Sequence, residues 1–97
     1  MKMAFLLFEY FPYGGLQRDM LAIAANALQR GHQITVFTRA WHGDDVGREG
    51  PEVHTLASAA RGNHARDADF ARQVAGRLKG FDRVVGFNKM PGLDWYY

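Results

Sequence analysis

Ninety-seven residues, 10.9 kDa in all, make room for one small domain and exclude two full lobes facing across a cleft. The composition, 47% hydrophobic and 23% charged, is that of a globular chain, and no apolar run approaches the ~20 residues of a membrane span. A formal charge of +2 gives no case for a nucleic-acid partner, and the lack of cysteine excludes disulfides, thiolate metal sites and cysteine nucleophiles.

The first element is the apolar run Met3 to Phe8, which reads as a parallel strand buried on both faces. The apolar run after Lys2 is too short for a secretory leader, so none is expected. Gly14 and Gly15 then open a helix from Leu16 to Arg30, with Leu16, Met20, Ile23, Ala24, Ala27 and Leu28 in one stripe. Gly31 supplies a left-handed stop. Gln33 to Thr38 reads as a second strand, Trp41 to Pro51 as a loop, and Val53 to Leu56 as a short third strand. Ala57 to Arg66 reads as another loop. A second helix is predicted over Asp67 to Lys79, with Ala71, Val74, Ala75 and Leu78 inward and Asp67 and Asp69 in its first turn. Arg83 to Phe87 is a fourth strand, Asn88 to Gly92 a loop, and Leu93 to Tyr97 the start of a further element. The order predicts an α/β fold, part of a Rossmann-like, doubly wound and mainly parallel sheet. The apolar end of the chain, without a polar tail, is expected to be a cut within a longer protein.

In such sheets ligands bind beyond the carboxyl ends of the strands, so three loops draw attention: Glu9 to Gly15, Arg39 to Asp44 and Asn88 to Gly92. The turn Phe11-Pro12-Tyr13-Gly14-Gly15-Leu16-Gln17-Arg18 joins the first strand to a helix N-terminus, whose free N–H groups and positive end suit phosphate. Arg18 adds a cation. The pattern is neither Gly-x-Gly-x-x-Gly nor a Walker loop, and the bare requirement for a tight turn explains two glycines equally well. No acid ends the second strand, where Thr38-Arg39 stands, so a dinucleotide-binding half-domain is disfavoured. In the last loop Lys89 can meet a phosphate and Asn88 a hydroxyl, against the plainer reading of a Pro-Gly turn with a solvated lysine. Asn63, His64 and Arg66 form a third polar cluster; an exposed loop and helix cap is the plainer reading there. His32, His42 and His54 have no partners at metal-ligand spacing, and Trp41 is expected to pack rather than stack on a ligand.

Several of these segments resemble one family. Phe11-Pro12-Tyr13-Gly14-Gly15-Leu16-Gln17-Arg18-Asp19, Arg30-Gly31-His32, Trp41-x-Gly43-Asp44, Asn63-His64-x-Arg66 and the thirteen residues from Asp82 to Asp94 resemble, in the same order, the N-terminal part of bacterial lipopolysaccharide core heptose glucosyltransferases. The resemblance covers nearly all of the chain. It implies a GT-B architecture of two Rossmann-like domains, placed among the retaining family 4 glycosyltransferases. The implied activity is transfer of glucose from UDP-glucose to the inner-core heptose of lipopolysaccharide, without a metal or other cofactor. The implied setting is cytoplasmic, at the inner face of the inner membrane, with peripheral membrane association of the full-length protein. Residues 1–97 would then be the acceptor-side N-terminal domain, truncated, with the donor-binding domain absent.

Carried over by position, Gly14, Gly15, Arg18 and Asp19 would meet the donor diphosphate, and Asn63, His64, Arg66, Asn88, Lys89 and Asp94 the acceptor. Arg18, Arg39 and Lys89 would form a basic rim for an anionic acceptor. The family's Glu-x7-Glu element has no counterpart here, so the isolated chain is expected to be inactive. The different-class alternative is a non-catalytic module that binds nucleotide sugar or acceptor; a transferase using another sugar donor is the alternative within the class.

Overall fold

The computed structural model describes residues 1–97. The chain runs β1 (Lys2–Tyr10), α1 (Gly15–Gln29), β2 (Gln33–Trp41), β3 (Glu52–Thr55), α2 (Asn63–Ala75), β4 (Arg83–Gly86) and β5 (Trp95–Tyr96). All five strands are parallel, in the order β3-β2-β1-β4-β5. The architecture is therefore the α/β sheet that the element order predicts.

β1 is central because its side chains are apolar on both faces. Met3, Phe5 and Leu7 pack with Met20 and Ala24 of α1, while Ala4 and Leu6 pack with Phe70 and Val74 of α2. This alternation is the two-residue period of a strand, read here as a continuous apolar run since each face has its own helix. Phe5, Leu6, Leu7, Phe70 and Phe87 are almost wholly buried; each contributes roughly 1.5–3 kcal/mol relative to exposure. Register aligns Phe5 with Val36 on one side and with Val85 on the other, so three strands stack apolar residues at one level.

From β1 the chain steps through α1 to β2 and β3, then returns through α2 to β4 on the opposite side of β1. Loops leaving the carboxyl ends of β1 and β4 therefore diverge, which opens a crevice between them.

Several boundaries differ from the sequence reading. β1 and β2 continue to Tyr10 and Trp41, where the stacked rings of those residues (centroids 3.9 Å apart) cover the extension. α2 begins at Asn63, so Asn63, His64 and Arg66 lie in a helical turn and not in a loop, and Asp67 and Asp69 fall beyond the first turn. Gly62, at φ +82°, makes the sharp entry to that helix. α2 stops at Ala75; Phe70 and Val74 are its buried residues, Ala75 is exposed, and Leu78 reaches the core from the turn that follows. The unfinished terminal element is a short edge strand, held by Asp94 N–H to the Val84 carbonyl and Tyr97 N–H to the Gly86 carbonyl (2.9 and 2.8 Å).

Candidate functional site

The β1–α1 turn is built around Gln17. Its side chain is buried, and Nε2 donates to the Glu9 carbonyl at 2.9 Å, which folds the first turn of α1 back on the end of β1. Gly14, the N-cap, lies so close that a Cβ would collide with Gln17 Oε1 and the Phe11 ring. Gly15 is different: a Cβ there would meet no atom within 4 Å. No side chain caps α1 and no acid stands in its first turn, so its first N–H groups have no side-chain partner beside the vacant side of the exposed Gly15.

Arg18 is exposed and has no ion-pair partner. Asp19 Oδ2 accepts a hydrogen bond of 2.9 Å from the Tyr97 hydroxyl. That bond, with smaller effects of burial and of the carboxylate's charge, raises the Tyr97 phenol above its ordinary pKa of 10.0.

On the other side of the crevice, His64 and Lys89 line one open cavity of about 630 Å³, with Phe8, Met90 and Arg72 also in its wall. The structure thus brings together His64 of α2 and Lys89 of the loop after β4. Asn63 lies at the helix start, exposed, and Arg66 Nε donates to the Ala60 carbonyl at 3.3 Å, closing the loop ahead of α2. Asn88 and Asp94 hold backbone: Asn88 Oδ1 accepts from Phe8 N–H at 2.8 Å, and Asp94 Oδ2 accepts from Val84 N–H at 2.7 Å. Each keeps one polar side-chain atom free for a ligand.

The basic rim is smaller than the sequence suggests. Arg39 is a paired cation: Nη1 lies 3.0 Å from Asp67 Oδ1, Nη2 lies 3.9 Å from Glu9 Oε2, and the guanidinium sits over the Phe8 ring at 5.3 Å. Its charge is taken up within the fold, leaving Arg18 and Lys89 as the outward-facing cations of the rim. Glu9 is also 2.9 Å from His42 Nε2. Trp41 is packed as expected, against Tyr10, with its indole N–H donating to the Asp44 carbonyl. No group of three His, Asp or Glu side chains is placed to hold a metal ion.

Sequence reasoning missed the parts played by Phe8, Asp67 and Tyr97, and took Glu9 only as the start of the first loop. Phe8 and Glu9 sit at the carboxyl end of the first apolar run, so their position held a signal. The Arg39–Asp67 and Asp19–Tyr97 contacts join residues 28 and 78 positions apart, and no local pattern marks them.

No protein-family profile matches the chain. Among characterised proteins it is similar to the lipopolysaccharide glucosyltransferase WaaG of Escherichia coli (strain K12). The two are 46% identical over 99 residues, covering all of this chain and 26% of that protein. The crystal structure of WaaG, a glycosyltransferase involved in lipopolysaccharide biosynthesis, superposes with a TM-score of 0.91 at 46% identity, over 97% of this chain and 25% of that one. The chain thus spans about a quarter of the length of the relative it matches. In sequence and in fold, this chain is similar to the N-terminal quarter of that lipopolysaccharide glucosyltransferase.

Proposed function

We propose that residues 1–97 form the acceptor-side wall of a GT-B glycosyltransferase that moves glucose from UDP-glucose to the inner-core heptose of lipopolysaccharide. The observation that carries this reading is the uncapped N-terminus of α1 beside the vacant side of Gly15. Nothing inside the chain requires glycine at that position, whereas a ligand approaching the helix end does. Gly14 sets the turn, and Gly15 admits the donor diphosphate to the helix N–H groups. Arg18 adds a mobile positive charge. A carboxylate beside a diphosphate repels it, so Asp19 acts as an acceptor for hydroxyls of the transferred sugar. Helix N–H groups and arginine complement the charge of the leaving diphosphate in the role a metal ion takes in other transferases.

Across the crevice His64 and Lys89 face an anionic sugar acceptor, and Phe8 and Met90 supply apolar surface for its ring. Asn63, Arg66, Asn88 and Asp94 stand outside the wall of that cavity, and their part in holding the acceptor rests on the resemblance alone. The reaction takes place at the cytoplasmic face of the inner membrane, with peripheral association of the longer protein.

The test is a graft. This chain replaces the first quarter of the E. coli protein in a strain lacking its own copy, and lipopolysaccharide core is weighed by mass spectrometry. Restored core glucose is expected. A folded, abundant graft that leaves the core without glucose overturns the reading. In vitro, preference for another nucleotide sugar over UDP-glucose overturns the donor assignment.

A further inference from the structure

Asp19 is exposed on the second turn of α1, four residues after Gly15 and on the same helix face. A solvent-facing aspartate with no partner populates several rotamers and presents its charge in several directions. Asp19 has one partner, the Tyr97 hydroxyl. The Tyr97 ring lies against Phe87 (centroids 5.3 Å apart, 39° between planes), and Phe87 lies against Phe5 at the same centroid distance. Phe87 and Phe5 are at the centre of the core, 2% and 1% exposed. Tyr97 N–H is bonded to Gly86 of β4 at 2.8 Å. Tyr97 is itself exposed, but its ring stands on an aromatic stack that reaches the sheet, and its hydroxyl reaches across from the carboxyl end of β5 to the first helix.

We infer that Tyr97 is a positioning residue: it fixes the direction of the Asp19 carboxylate toward the sugar of the bound donor. The inference rests on the proposed function, in which Asp19 meets the donor. A phenol suits the task. It donates one hydrogen bond to one carboxylate oxygen and leaves the other free to accept from a sugar hydroxyl. It is neutral, so it does not cancel the carboxylate's charge as an arginine would. Fixing a group that touches substrate matters because small errors of placement at a reacting sugar reduce turnover steeply.

The experiment uses the grafted transferase and three forms of it: parent, Tyr97→Phe and Asp19→Asn. Phenylalanine keeps the ring on Phe87 and removes only the hydroxyl, so the thermal midpoint should stay within a few degrees of the parent. Turnover of UDP-glucose should fall about tenfold in Tyr97→Phe and at least as far in Asp19→Asn. The inhibition constant of UDP, which carries no sugar, should stay within twofold in both. A merely structural role for Tyr97 would weaken UDP binding along with turnover, and that result overturns the inference. A tenfold loss in Asp19→Asn with full turnover in Tyr97→Phe overturns the inference alone. Full turnover in Asp19→Asn overturns the reading of Asp19 as well.

A second measurement needs no activity. In the 97-residue chain, Asp19→Asn should bring the Tyr97 phenol back toward the ordinary tyrosine range, read by carbon-13 chemical shift against pH. An unchanged titration means that the bond does not form in solution, and the inference fails.

Discussion

Gly14 and Gly15 are neighbours of one type held for different physical reasons. At Gly14 the constraint is internal, because any Cβ collides with the Gln17 side chain that ties α1 to β1. Gly14→Ala should therefore force Gln17 out, lose its bond to the Glu9 carbonyl and cost about 2–3 kcal/mol, read from urea unfolding. At Gly15 the space is free and the backbone is already helical. Gly15→Ala should leave stability unchanged or raise it by up to ~1 kcal/mol, since alanine is the better helix former. The same substitution should weaken donor binding in the grafted transferase, because its methyl occupies the approach to the helix N–H groups. A variant that is more stable and less active separates ligand space from turn geometry, which the two-glycine pattern by itself does not.

Among the elements, polar side chains secure strands that are too short to hold themselves. β5 has two residues, and Asp94 binds both backbone groups of Val84, one through its own N–H and one through Oδ2. Asp82 does the same service for Lys2 N–H at 2.7 Å. Asp94→Ala leaves Val84 N–H unpaired and should cost about 1–2 kcal/mol, with the loss of amide protection concentrated at Val84 and β5. Asp94→Asn retains an accepting oxygen and should lose less. A second tie of this kind depends on pH. The Asp69 carboxyl is held below its ordinary value near 3.8, first by a hydrogen bond from Ser58, which burial opposes, and then by hydrogen bonds from Gln73 and Arg72 and the charge of Arg72. A carboxyl whose folded pKa is lowered stabilises above its unfolded pKa and loses that contribution as pH falls through the folded value. Protection of the segment Ala57–Ala60 beside α2 should therefore drop as pH falls below about 4, once the intrinsic exchange rates are allowed for, and Asp69→Asn should remove that pH dependence. The long elements were legible because apolar runs and glycine stops are local signals. The start of α2 was not: Asn63, His64 and Arg66 are polar and, with Ala65, exposed, so neither period nor burial marks them as helix. The site was legible to the same extent. Its loops follow from strand polarity, but the pairing of Arg39 with Asp67 and of Asp19 with Tyr97 arises only when distant elements meet.

For the whole molecule, the question is what one wall of the proposed cleft can do. The free N–H groups of α1, Arg18 and Asp19 all lie on an exposed surface. There a hydrogen bond to a ligand contributes roughly 0.5–1.5 kcal/mol, since it replaces one to water, and a helix end contributes roughly 0.3–1 kcal/mol to an exposed anion. Two or three such contacts sum to about 2–4 kcal/mol, which corresponds to a dissociation constant on the order of 1 mM or weaker. Charge development in a transition state also gains little while water surrounds it, because the same dipoles act far more strongly in a closed, dry site. The isolated 97-residue chain should thus bind UDP-glucose at millimolar concentration or not measurably, and release no UDP over a buffer blank. Calorimetry and a coupled assay for UDP check the two halves of this expectation. Micromolar binding or measurable turnover by the isolated chain would mean that its exposed rim is already a complete donor site, and the proposal that it serves as one wall of a larger cleft would be wrong.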